Sequence, residues 1–452
     1  MRAILYDLLS LGEYAAKKAL ERKADIVEIY LQQGSYITVS IEREEISSAS
    51  SGFETGIGIR VITEKALGFA SSNRLDDSSI IEAIDAAIAL AQKSPPEEFN
   101  SIPPEVPSGS GKIPGLLDRG IENFTVEKAL EHSITILDDV TEEKKAYCES
   151  GGFSASVGQR AIVSSTGTAK EEVGNNFSWS LFGFAKDNSF QGPYCYEYGM
   201  CIKENDINVL KTSQDFKEQA LGDLGRVKLG SDDVTFLLNN ELLNTLVSGP
   251  ILFCSSADSI YRNYSRFKGK LGEPVASELL TILDDGTIPE NISSSNFDRE
   301  GWTPERRIII RDGIFTNVLT DYKSAQQLSV DPSGNAAGSY RSLPSISSYN
   351  LIYDCSKGNS RSQIIEDIKN GFLIKNFSGE PDLISGNFSL AVRGRVIEDG
   401  EIKQGTVREI IISGNIFELM NNVVAVSKEK KVVPGSETPE LVIVSGISRV
   451  SK

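Results

Sequence analysis

A single histidine, His132, occurs in 452 residues, and its scarcity limits the chemistry open to the chain. Imidazole is the usual proton carrier near neutral pH and the commonest zinc ligand, so a hydrolase built this way must turn to carboxylates, lysine or an unusual nucleophile. His132 falls in 126–134, where apolar residues recur at helical spacing among charged neighbours, and is read as a solvated helix residue. The carboxylate pairs Asp284 and Asp285, Asp298 and Glu300, and Glu44 and Glu45 come next. General acid/base work needs two carboxyls in different environments across a substrate, whereas adjacent strand residues point to opposite faces. These pairs are therefore read as turns and solvent faces. Serines are plentiful, yet no G-x-S-x-G elbow is present, which argues against a serine hydrolase.

Two glycine motifs invite a ligand reading. Gly56-Ile57-Gly58-Ile59 lies inside a strand pattern with no helix opening after it, so a bulge or close strand contact accounts for it better than a dinucleotide site. Gly334-Asn335-Ala336-Ala337-Gly338, after Asp331-Pro332-Ser333, is either a loop presenting N–H groups to a ligand or an ordered turn. Cys148, Cys195, Cys201, Cys254 and Cys355 are odd in number, widely spaced and without a C-x-x-C pair. They read as reduced thiols rather than a disulfide framework or zinc ribbon.

The elements that must position these residues follow from periodicity. Apolar spacing predicts helices over 5–22, 80–92 (capped by Ser78), 125–138, 211–224, 240–247 and 417–424. Alternation predicts strands over 25–33 and 36–43 about a Gly34-Ser35 turn, then 56–62, 66–70, 146–157, 160–165, 169–184 and 187–203. Beyond these come short strands over 234–238, 279–283, 307–310, 314–319, 388–396, 408–413 and 440–444, with Asp285-Gly286 and Asp312-Gly313 as hairpin signals. The fold class is α+β, with an N-terminal helix-plus-antiparallel-sheet unit and a larger, mainly β C-terminal domain. The expected units are 1–93, a Pro/Ser/Gly-rich connector at 94–116, a central α+β unit at 117–228, and 229–452, whose first strand follows Asp232.

Lys and Arg number 46 against 63 Asp and Glu, for a net charge of −17. Such a chain repels phosphate backbones and anionic membranes, so neither nucleic acid nor membrane is an expected partner. Met1 to Leu20 mixes charged with apolar residues and has neither a signal-peptide core nor a membrane span, giving a cytoplasmic expectation.

Several stretches resemble the TldD/PmbA family. They are the N-terminal helix, Gly56–Ile62 with Gly68-Phe69-Ala70, 275–287, Phe297-Asp298-Arg299-Glu300-Gly301, Pro332-Ser333-Gly334-Asn335-Ala336, 384–389 and 412–415, in the family's order over nearly the whole chain. The resemblance implies metal-dependent proteolysis, with zinc held in catalytic members by an HExxxH helix and a late cysteine. Ligands one helical turn apart converge on the metal, and the motif's glutamate activates its bound water. Counted back without gaps from Val275, those positions hold Ser248, Gly249 and Phe253 here, and the last cysteine is Cys355. Glu241 is a nearby carboxylate, and Pro250 is expected to disturb a continuous helix.

The resemblance thus implies a TldE/PmbA-like subunit with no catalytic, cofactor-binding or metal-binding residue of its own. It implies a heterodimer with a TldD-like homologous subunit that carries the zinc, with self-association also open, and an unfolded peptide as substrate. The alternatives are a homodimeric hydrolase with an unrecognised site and a non-enzymatic binding or modulator protein.

Overall fold

A computed structural model describes residues 5–106, 112–187, 190–230, 234–433 and 435–450. The expected domain start near Asp232 and Pro107 of the connector lie outside the described residues. Long alternating segments form β1 (Ile26–Glu42), β2 (Glu45–Thr63), β3 (Ala66–Ser72), β4 (Ala146–Ser164), β5 (Ala169–Asp187), β6 (Phe190–Gln191) and β7 (Cys195–Cys201). They make one antiparallel sheet in the order β3-β2-β1-β4-β5, with β6 and β7 both on β5. Because β1 pairs with β2 on one side and β4 on the other, the stretches 1–93 and 117–228 share this sheet. The connector breaks the run of elements in the chain, but not the sheet.

Gly34-Ser35 is no turn. Gly34 pairs with Glu54 and Gly158, and a Cβ there would come 2.7 Å from the Val157 carbonyl oxygen, so glycine serves close approach inside one unbroken strand. The same continuity joins the predicted 146–157 and 160–165 segments into β4.

Most odd-numbered residues of β1 and, from Phe153 on, of β4 are apolar and face four helices, with Gln33, Ser35 and Gln159 as polar exceptions. α1 (Leu8–Glu21) and α2 (Asp77–Ala91) cover Val27, Ile29, Leu31, Ala161 and Val163. α3 (Val126–Glu142) and α4 (Val209–Gly222) cover Ile37, Val39, Phe153, Ala155 and Val157. Side chains of Asp7, Asp76, Thr125 and Asn208 accept from the first-turn amides, so Asp76 rather than Ser78 caps α2. His132 is only partly solvated. It is half-buried, its ring stacked 4.9 Å from Phe153 because the helix face it occupies lies over an aromatic cluster, and burial lowers its pKa.

The C-terminal part is mainly β. An eight-stranded sheet and a six-stranded sheet share a core with a helical rod made of Asn240–Leu243, a π-turn Asn244–Ser248 and Gly249–Ser255. Leu242, Leu246, Val247 and Ile251 of the rod, Phe236 and Phe372 of the larger sheet, and Ile282 and Leu351 of the smaller are all fully or almost fully buried in it. The Asp312-Gly313 hairpin forms, both residues at positive φ. Asp285-Gly286 instead opens the long irregular segment 286–305, where a Gly286 Cβ would meet Pro304 at 2.6 Å and the Tyr349 ring at 2.8 Å.

Candidate functional site

The rod carries Ser248, Gly249 and Phe253, the positions to which the ungapped count from Val275 assigns the HExxxH ligands and base. Pro250 sits inside it without breaking it, contrary to expectation: proline gives no N–H to the preceding turn, and the π-turn absorbs the mismatch, with Gly249 N–H donating to the Asn244 carbonyl five residues back. Ser248 is buried, its Oγ 2.9 Å from both the Tyr353 hydroxyl and Asn244 Oδ1. Burial pushes the Tyr353 phenol beyond the usual range. Gly249 and Phe253 are half-buried, one without a side chain and the other hydrocarbon. Glu241 lies on the first turn of the rod and lines a cavity of about 320 Å³ with Tyr194 and Tyr196. A zinc ion does not fit this donor set: a hydroxyl already engaged on both sides, a glycine and a phenyl ring supply neither imidazole, thiolate nor carboxylate. Cys355 is buried with its thiol pushed up to about 11, and burial also raises Cys254, so neither presents a thiolate.

A second polar centre lies where the even-numbered sheet face meets the C-terminal part. Glu28 and Arg60 are cross-strand partners, and the segment 298–300 reaches them from the other side. Arg299 Nη1 donates to Glu28 at 2.8 Å, Arg60 Nη2 to Glu300 at 2.9 Å, and Arg60 also pairs with Glu28. All four side chains are buried, and their charges balance. Arg299 lies over the Tyr30 ring, 3.9 Å from its centre. Burial opposes ionisation of Glu28, yet Arg60 and Arg299 outweigh it and hold that carboxyl below the ordinary range. Burial carries Glu300 the other way, up to about 7.

The carboxylate pairs read as solvent faces are in part corrected. Asp284, Asp285, Asp298 and Glu300 are buried, because local amides satisfy them. Asp298 accepts from the amides of Glu300, Trp302 and Ala336, and Asp284 from those of Tyr349 and Asn350 and from the Asn335 side chain at 2.6 Å. Burial nonetheless raises both to about 6. The Gly334–Gly338 loop therefore gives the Ala336 N–H to Asp298, as an ordered turn does. Gly56 and Gly58 sit under Tyr340, where a Cβ would come 2.2 Å from its ring or 2.4 Å from its carbonyl oxygen, the close contact expected of them. Sequence reasoning missed Glu28, Arg60 and Arg299; the one available signal was charge on the alternate face of otherwise apolar strands.

Beside this junction are two cavities. One, about 400 Å³, is lined by Gln32, Arg160, Glu172, Asn176, Ser295 and Tyr349, with the Tyr349 hydroxyl buried and unpartnered. The other, about 910 Å³, is lined by Arg60, Phe99, Tyr261, Arg262 and Lys323 among others.

Residues 231–449 match the family model of the PmbA/TldA metallopeptidase C-terminal domain, and residues 27–91 that of PmbA/TldA metallopeptidase domain 1. The chain belongs to the TldD/PmbA family. Among TldD/PmbA relatives, the Metalloprotease MJ0996 of Methanocaldococcus jannaschii is 27% identical over 440 residues, 95% of this chain and 92% of that protein. Metalloprotease PmbA of Escherichia coli O157:H7 is 25% identical over 441 residues, 92% and 91% of the two chains. The crystal structure of TldE from Thermococcus kodakarensis superposes with a TM-score of 0.85 at 22% identity, covering 98% of this chain and 100% of that one, a likeness of fold. The stretches that carry the TldD/PmbA resemblance at 297–301 and 332–336 are thus parts of the buried junction, not a row of exposed reactive groups. Among the described residues, no helix is long and apolar enough to cross a membrane.

Proposed function

We propose that this chain is a non-catalytic, TldE/PmbA-like subunit of a cytosolic zinc metalloprotease acting on unfolded peptides. In this reading it binds no zinc. A TldD-like homologous chain bearing HExxxH supplies the metal, and the two subunits enclose the cleavage site, so that folded substrates are excluded. The observation that carries the reading is the donor set of the rod, where Ser248, Gly249 and Phe253 occupy the ligand and base positions and Ser248 is already bonded to Tyr353 and Asn244. The family's kinship with metalloproteases supports the proteolytic setting. Co-expression with the histidine-bearing homologue of the same genome tests it. A stable complex of the two chains is expected, and two chains that never co-purify would overturn the assignment.

A further inference from the structure

The even-numbered sheet face continues past the buried junction, and its composition changes there. Moving away from Arg160, the cross-strand rows read Glu54–Gly34–Gly158–Gly174, then Gly52–Tyr36–Ser156–Asn176, then Ser50–Thr38–Ser154–Ser178–Met200, then Ser48–Ser40–Gly152–Ser180–Tyr198. The one charged side chain in these rows is the exposed Glu54 at the β2 edge; over β1, β4, β5 and β7 they hold none, and no aliphatic one larger than Met200, on a chain of net charge −17. Glycine, serine, threonine and asparagine make a low floor, and taller aromatic groups border it. On the β2 side the Tyr36 ring lies across Gly52, where a Cβ would come 2.5 Å from the ring. On the β7 side Tyr196 and Tyr198 stack with centres 5.4 Å apart.

Depressions follow this floor along the strands. The 400 Å³ cavity at the junction shares Gln32, Gln33, Ser156 and Gly158 with one of about 270 Å³ beside Gly34 and Tyr36. Another of about 310 Å³ continues over Thr38, Ser40, Ser154, Ser178 and Tyr198. The four rows span about 20 Å along the strands and five strands span about 19 Å across, so the patch is about 400 Å². That is roughly half of the ~800 Å² per partner that a stable interface needs, and serine is depleted in interface cores. Without lysine or arginine the floor attracts no phosphate backbone.

We infer that this trough seats an extended, unfolded polypeptide segment of about six residues, lying flat along β1, β4 and β5 between the two tyrosine borders. The inference rests on the reading of the chain as a protease subunit and names the surface that holds substrate. Hydroxyl and amide groups both donate and accept, so they bond a peptide backbone running in either direction. A neutral floor makes no selection on substrate charge, and low side chains leave room for bulky ones above. Direct recognition is thus of the main chain.

The test uses the full chain and fluorescein-labelled unstructured dodecapeptides: one neutral, one with three lysines, one with three glutamates. The three are expected to bind with Kd values within threefold of one another. Ser154→Trp and Ser178→Trp, which fill the floor, should each weaken binding at least tenfold with an unchanged unfolding midpoint, while Glu131→Trp on exposed α3 leaves it unaltered. p-Benzoylphenylalanine in place of the border residue Tyr198 should photo-crosslink the neutral peptide. Unchanged affinity in both tryptophan variants, a tenfold preference for one charge, or a crosslink to the homologous subunit in place of peptide would overturn the inference. Absence of the two-chain complex, with peptide still crosslinked at 198, would instead overturn only the subunit assignment.

Discussion

Two buried polar centres in this molecule are built on opposite principles. At the junction, Glu28 and Glu300 are kept out of water by pairing with the guanidinium groups of Arg60 and Arg299 across elements distant in sequence. In the rod, Ser248, Asn244 and Tyr353 meet only through neutral hydrogen bonds. Buried charges are costly unless paired, so the ionic centre is intolerant of losing one member, whereas a neutral cluster loses only modest bonds. The difference teaches that strict residue requirements in this chain belong to the joint between its two sheet systems, while the neutral cluster on the rod is comparatively free.

Removing one partner at the junction should have the largest effect. Arg299→Met leaves Glu28 short of a cation and is expected to destabilise by about 3–5 kcal/mol in urea unfolding, with Glu28→Gln in the same chain recovering part of the loss. A change below about 1 kcal/mol would erase the contrast between the two centres.

Acidity gives the next effect. Asp284 and Asp298 at about 6 and Glu300 at about 7 all lie above their unfolded values, so the folded protein holds more protons between about pH 4 and 7. Their contribution is fully present below that window and declines as pH rises through it. Glu28, shifted down, keeps its own contribution throughout this range. Stability should therefore fall from pH 5 to 7.5 by on the order of 2 kcal/mol, and Asp298→Asn should flatten the profile. A profile that rises over this interval would mean that the amide hydrogen bonds outweigh burial at these carboxyls.

The rod is expected to respond weakly. Ser248→Ala or Tyr353→Phe should each cost about 1 kcal/mol, the value of a neutral hydrogen bond. A loss equal to that of Arg299→Met would make the two centres alike. His132, on α3, belongs to neither centre and is a polar ring half-buried on Phe153 with its pKa lowered by that burial. His132→Phe should change stability by no more than about 0.5 kcal/mol, and proton NMR should place its titration below 6.5.

Element types in the sheet were legible because alternation over long segments has one physical meaning: one face buried under helices. Gly34 misled because glycine also marks close backbone approach within a strand, and only cross-strand pairing tells the two apart. Asp285-Gly286 misled in the same way, since its glycine makes room for Tyr349 and Pro304 rather than closing a hairpin. That no histidine follows His132 could be read directly, because it depends on residue identity alone. The burial of Asp298 and Glu300 could not: it is created by the Ala336 amide and by Arg60, 38 and 240 residues away in the chain. His132 was misplaced for a similar reason, its charged neighbours in sequence masking an aromatic neighbour on β4.

The claim that the hydrolytic metal belongs to a companion chain is tested most directly by measuring zinc content and cleavage of a disordered peptide for the isolated, zinc-equilibrated chain and for its reconstituted complex with the HExxxH-bearing homologue. The account predicts far less than one zinc per isolated chain and no cleavage, with chelator-sensitive cleavage in the complex. One tightly held zinc per isolated chain, accompanied by chelator-sensitive cleavage, would contradict it.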